Sequence, residues 1–215
     1  MRTNSLSRSW SAAWERPAFR KGVAALAIVG VPVLYAIPHF FGWSGARTGM
    51  LPPDPVLDHL GPYDLTWPIF TVLYGTVLLV VGRTLPDPWL ILRGAQAYVL
   101  ILLLRMCTMF LLPLEAPVDI IPLVDPITAV FYPGGEPFLK DLFFSGHTAT
   151  MVLMTLLARG RLLRLWCLLA TVLVGAGVVA QHVHWTVDVL AAPVFAGIAW
   201  WASAFSLRAF GRPGV

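Results

Sequence analysis

The chain is poor in charge. Of its 215 residues only 12% are Asp, Glu, Lys or Arg, against about 25% in an average soluble domain. That shortage excludes a soluble globule, and it excludes a disordered chain kept in solution by its charge. Cysteine is nearly missing: Cys107 and Cys167 are the two present. They fall near opposite ends of different apolar segments, so no disulfide framework is expected and both read as buried apolar residues. No stripe of basic residues interleaved with aromatics runs along the chain, so nucleic acid is not an expected partner. There is no internal repeat. No small-x-small cleavage site follows the first apolar run near Ile37, so that run reads as a membrane helix rather than a removable signal. Lysine is rare as well, with Lys21 and Lys140 set against thirteen arginines. With the abundance of Ala, Gly, Leu and Val, this bias points to a GC-rich bacterial genome.

What is present is hydrophobic surface. Apolar residues make up 58% of the chain, and the mean hydropathy is +0.75. The class is therefore an all-α polytopic membrane protein, since only helices or closed barrels satisfy their backbone within lipid. Six spans are expected, at roughly 22–38, 64–82, 89–112, 143–158, 162–181 and 186–207. The fourth is short and is expected to extend back toward Asp141. Residues 1–21 form a basic, amphipathic arm in which Trp10 and Trp14 lie four apart, as in an interfacial helix. Residues 22–207 form the six-helix domain and 208–215 a tail.

Sorting the few charges gives sidedness. The arm carries Arg2, Arg8, Arg16, Arg20 and Lys21 against Glu15; residues 159–164 hold Arg159, Arg161 and Arg164; the tail holds Arg208 and Arg212. Residues 83–88 are neutral, with Arg93 just beyond, and the two remaining connections are acidic. Residues 39–62 set Asp54 and Asp58 against Arg47, and residues 113–142 set Glu115, Asp119, Asp125, Glu136 and Asp141 against Lys140. The positive-inside rule then makes both termini cytoplasmic and the acidic face extracytoplasmic. The expected location is a bacterial inner (plasma) membrane. The two outer connections, 39–62 and 113–142, are long and rich in proline, as functional loops on a compact bundle often are.

Ionisable groups within or at the mouth of spans are costly, so each is a functional candidate. Arg105 lies in the third span, His147 at the start of the fourth, and His184 and Asp188 at the start of the sixth. All fall toward the same outer face. His184 and Asp188 are four apart, on one face of a helix. A carboxylate that accepts one ring N–H fixes the tautomer and leaves the other nitrogen as a more basic lone pair, the arrangement of a nucleophile or base. An interfacial His with a solvating Asp is the plainer alternative. Ser145-Gly146-His147 opens the fourth span: Gly146 allows close backbone approach, the helix N-terminus favours an anion, and His147 can protonate a leaving oxygen. A capping Ser and a loop His are the alternative there. Asp141 and Glu115 could each orient His147 or merely solvate the outer face. Arg105 must find an anion, either a structural carboxylate or a substrate phosphate. His182 makes His-x-His with His184, but no further His or Cys cluster supports a metal. His39 and His59 read as loop residues.

These residues resemble the type 2 phosphatidic acid phosphatase superfamily, and more specifically its sphingomyelin synthase-like branch. Four segments carry the resemblance, over about residues 64–205: Leu85-Pro86-Asp87; Arg105-x-x-Thr108 with the Pro113 to Pro117 stretch; Asp141-x-x-x-Ser145-Gly146-His147-Thr148; and His184-Trp185-Thr186-Val187-Asp188-Val189. Lys140 stands where the eukaryotic motif has Gly, and Trp185 where it has Tyr. The phosphatases carry a Lys-x6-Arg-Pro clamp and an Arg six residues before the nucleophilic His; here that last position is Val178. A site with Arg105 as its main cation suits a singly charged diester better than a phosphate monoester.

The resemblance implies catalysis by His184, Asp188, His147, Asp141 and Glu115, with Arg105, Ser145 and Gly146 holding the substrate phosphate. It implies no cofactor and no metal. The implied partners are the bilayer, a phospholipid donor, its diacylglycerol product, and ceramide, another lipid hydroxyl or water as acceptor. Two other functions remain as alternatives: a lipid phosphate phosphatase of the same superfamily, and a non-enzymatic transporter or scaffold.

Overall fold

The computed structural model describes residues 2–125 and 139–210. Glu136 and Arg212, counted in the charge tally, lie outside the described residues. Within them the chain is all-helical, with seven α-helices: α1 (Arg2–Trp14), α2 (Pro17–Gly45), α3 (Thr66–Thr84), α4 (Pro88–Leu111), α5 (Gly146–Leu157), α6 (Arg161–Ala180) and α7 (Thr186–Ala209). Five of them, α2, α3, α4, α6 and α7, are long and apolar enough to cross a membrane. The expected spans at 64–82, 89–112, 162–181 and 186–207 match α3, α4, α6 and α7 to within two residues at each end.

Two spans differ from expectation. The first starts at Pro17 rather than residue 22 and runs to Gly45, across Pro32 and Pro38. Proline at the first helical position loses no bond there, and Arg20 and Lys21 sit at the helix mouth, where long basic side chains reach toward water. The fourth does not extend back toward Asp141. Phe143 and Phe144 have φ of 64° and 46°, which no helix accommodates. The helix starts only at Gly146, where the Ser145 hydroxyl accepts from the Thr148 N–H at 3.3 Å. Its 12 residues span about 18 Å, short of the roughly 30 Å hydrocarbon core. The short helix is tolerated because α3, α4, α6 and α7 all pack against it, so protein rather than lipid surrounds its ends.

Small side chains make this packing close. Ala149 of α5, Ala170 of α6, and Ala192, Ala196 and Ala199 of α7 are fully buried. A Cβ on Gly177 would lie 2.8 Å from the Ile69 side chain of α3. Small residues at helix contacts are how bundles in lipid pack their backbones. The opposite faces carry exposed Leu78, Leu162, Leu190 and Trp201, as a lipid-facing surface would.

The two ends of the bundle are built differently. At one end, the base, lie α1, the start of α2, the α3–α4 turn and the end of α7. The Trp10 indole donates to the Leu85 carbonyl at 2.9 Å, and Phe19 packs edge-on against Trp89 at 5.2 Å. Asp87 caps α4 by accepting from Trp89 and Leu90 N–H groups, and it pairs with Arg159.

At the other end two connections form a cap. Met50 and Leu114 make a parallel bridge, with Met50 N–H donating to Pro113 O and Glu115 N–H to Met50 O, both at 2.9 Å. A Cβ on Gly49 would lie 2.8 Å from both Glu115 N and Pro113 O, so only glycine allows the two segments this close. Tyr63 N–H donates to Ala180 O at 2.9 Å, tying the cap to the end of α6.

Candidate active site

The cap covers the point where α4 ends and α5 and α7 begin. His184 precedes α7 and Asp188 lies in its first turn. Nδ1–H of His184 donates to Asp188 Oδ2 at 3.1 Å, and both side chains are buried. The same oxygen accepts the Trp185 N–H at 3.2 Å, so Asp188 caps its own helix while it fixes the imidazole. Nε2 of His184 is thereby left as the lone pair.

Ser145 joins α5 to this turn, its N–H donating to the Asp188 carbonyl at 3.0 Å. His147 follows on α5, its ring centroid 6.3 Å from that of His184 and 5.8 Å from Phe70 of α3. Among the described residues three buried side-chain atoms here have no hydrogen-bond partner, His147 Nδ1, Thr148 Oγ1 and Asp188 Oδ1. Buried polar atoms are nearly always paired, so such a cluster calls for an explanation.

Arg105 reaches the same place from α4. Its side chain is 5% exposed and pairs with Asp141, through both the carboxylate and, at 3.4 Å, the Asp141 carbonyl. Its guanidinium carbon lies 5.8 Å from the centre of the Phe144 ring, and Phe144 in turn stacks on Phe195 of α7 at 4.5 Å. The left-handed turn at Phe143 and Phe144 brings Asp141 back over Arg105. Gly146 lies directly beneath the guanidinium: a Cβ there would stand 2.7 Å from Arg105 Cζ. The glycine of Ser-Gly-His is thus needed for the approach of Arg105 to the first turn of α5.

The structure brings His184, Asp188, His147, Arg105, Ser145, Gly146 and Asp141 together. It places Asp141 and Glu115 otherwise than as partners of His147. Asp141 is drawn to Arg105, the nearest cation. Glu115 accepts from Lys140 at 2.8 Å and from the Gly49 N–H at 2.8 Å. The Lys140 hydrogen bond, then that of Gly49, hold its carboxyl below the usual carboxylate range. Glu115 is a cap residue, and its carbonyl accepts the Trp185 indole N–H at 2.9 Å. Val178, six residues before His184, is fully buried among the core side chains and brings no second cation.

Three residues of this end are not evident as site residues from the sequence. Asp54, from the first connection, accepts the Thr186 N–H at 2.6 Å and the Thr186 hydroxyl at 2.9 Å. It thus caps the helix that carries Asp188. Burial alone would raise its pKa, but the bonds from Thr186, Leu57 and Val56 outweigh that and lower it. Gln181 is fully buried and accepts from Leu65 N–H at 3.0 Å while donating to Thr66 at 2.9 Å and to Ile121 O at 3.2 Å. His182, at φ 58°, donates Nε2–H to Leu60 O at 2.6 Å. Its ring is thus a tie between the cap and α6. An acid within Pro-Pro-Asp-Pro is the signal for Asp54; its partner 132 residues away leaves no trace in sequence spacing.

Residues 140–205 match a family model described as PAP2 superfamily C-terminal. The match takes in Asp141, Ser145, Gly146, His147, His184 and Asp188, and stops short of Arg105 and Glu115. The matched stretch is less than a third of the chain; members of the PAP2 superfamily are phosphatases and phosphotransferases acting on phosphate esters. With the apolar helices the match supports an integral membrane protein. No curated protein and no solved structure matches the chain.

Proposed function

We propose that this protein cleaves the head-group phosphodiester of a membrane phospholipid through a phosphohistidine, passing the head-group phosphate to a lipid hydroxyl such as ceramide or to water. The observation that carries the proposal is the set of groups around His184: a nucleophile held by Asp188, a second imidazole within one ring's reach, and a single arginine already paired with a carboxylate. The His184 Nε2 lone pair attacks phosphorus and the bond to the diacylglycerol oxygen breaks, His147 giving that oxygen its proton. Arg105 and the free N–H groups at the start of α5 stabilise the charge that builds on the phosphoryl oxygens. In the second half the acceptor hydroxyl attacks phosphorus, its proton passes to His147, and the N–P bond breaks.

The charge distribution supports a site on the extracytoplasmic face. Arg16, Arg20, Lys21, Arg159, Arg161, Arg164 and Arg208 flank the base, whereas the cap carries Asp54, Asp58, Glu115, Asp119 and Asp125. The second reading is a lipid phosphate phosphatase. The superfamily match favours it, and the lone Arg105 weighs against it. The test is incubation of the purified protein with labelled phosphatidylcholine and phosphatidylethanolamine, with and without ceramide. Labelled ceramide phosphodiester, or released head-group phosphate with diacylglycerol, is the expected product. Phosphate released from phosphatidic acid with no activity on diesters selects the phosphatase.

A further inference from the structure

We propose that Asp141 sets the charge class of the ester this site accepts, screening out doubly charged phosphate monoesters. The inference rests on the reading of the His184 centre as a phosphate-ester site. A phosphoryl group approaching His184 needs cations. Arg105, the cation placed there, is not a bare charge: Asp141 holds its guanidinium through side chain and carbonyl. Lys140 cannot substitute, because its ammonium donates to Glu115 and, at 3.0 Å, to the Arg47 carbonyl. Val178, six residues before His184, is buried and carries no charge. Asp188 adds a further negative charge beside the imidazole.

A singly charged diester can share the guanidinium, whose five N–H donors outnumber what one carboxylate uses. A dianion gains no more donors than the diester, yet its second charge meets the Asp141 carboxylate at close range in a poorly screened site. Asp141 is 26% exposed at the mouth of the site, so its amide analogue leaves the packed core untouched. Asp141 is therefore a specificity residue acting through Arg105.

The test uses the full chain in detergent with His184→Ala as background to stop turnover. Two soluble lipids of equal chain length are titrated calorimetrically: dihexanoyl phosphatidylmethanol, a diester of one charge, and dihexanoyl phosphatidic acid. At about pH 8.5 the latter is above its second ionisation. Asp141→Asn is expected to tighten phosphatidic acid relative to the diester by about tenfold or more, while Asp141→Glu leaves the ratio within about twofold. Equal changes for both lipids on Asp141→Asn, with binding retained, overturn the role of Asp141 but leave the phosphate-ester site standing. Binding of neither lipid when Asp141 is intact overturns both.

Discussion

The two ends of this bundle solve different problems with different chemistry. The base is held by aromatic contacts and by arginines that reach water: Phe19 on Trp89, Trp10 to Leu85, Arg159 to Asp87. The capped end is held by directed hydrogen bonds between residues far apart in the chain, and among the described residues it contains three buried side-chain atoms without a hydrogen-bond partner, His147 Nδ1, Thr148 Oγ1 and Asp188 Oδ1, against Gln96 Oε1 in the half nearer the base. Aromatic and surface ionic contacts tolerate small displacements; a nucleophile, an acid and a cation do not. The contrast suggests that the base is built to sit in an interface, and the cap to hold geometry.

Substitutions at the two ends should therefore separate sharply. The largest effect is expected from His184→Ala, which should lower phospholipid turnover at least about a thousandfold; it also leaves the buried Asp188 carboxylate without its ring N–H, so a lower melting temperature is expected with it. Gly146→Ala comes next. The added methyl meets the Arg105 guanidinium, so a loss of about ten- to a hundredfold in kcat/KM is expected with the helical circular dichroism retained. A fully active Gly146→Ala protein would mean that Arg105 is not needed over α5.

Asp54→Ala should cost about 1–2 kcal/mol in denaturant unfolding, because it leaves the Thr186 N–H without its acceptor. It should also lower activity less than Gly146→Ala does. The folded-state pKa of Asp54 is depressed. The stability it contributes is thus present above its unfolded value, 3.8, and is lost as pH falls through the lower folded value. Asp54→Asn should flatten that acid limb, which stability measured between neutral and strongly acid pH will show. The smallest effect is expected at the base. Arg159→Ala removes an exposed ion pair and should change stability by no more than about 1 kcal/mol and turnover hardly at all. An Arg159 effect as large as that of Asp54 would erase the distinction between the ends.

Much of this organisation is legible in the sequence, and unevenly so. Apolar runs bounded by Gly, Pro and charge mark α3, α4, α6 and α7 closely, because length and hydropathy report directly on a lipid-facing helix. They mislead at α5, where the apolar run continues through Phe143 and Phe144 while the backbone does not. Two aromatic residues at positive φ look like helix until the stack of Phe144 on Phe195 is known. The residues of the site were legible for a different reason: His147, His184, Asp188 and Arg105 are costly in lipid and stand out against it. Their pairing was legible only where it is local. His184 with Asp188 follows from a spacing of four. Arg105 with Asp141, Glu115 with Lys140 and Asp54 with Thr186 depend on how the cap folds over the bundle, and no periodicity encodes that.

The proposed reaction requires His184 Nε2 to become covalently bound to phosphorus. The direct measurement is to mix the protein with a phospholipid labelled at its phosphorus, quench within a turnover, and locate the label. The prediction is acid-labile, alkali-stable label on the peptide that contains His184, absent in His184→Ala and accumulating in His147→Ala if the second step is slowed. Diester cleavage at the normal rate with no protein-bound phosphorus, or label on His147 in its place, would contradict the assignment.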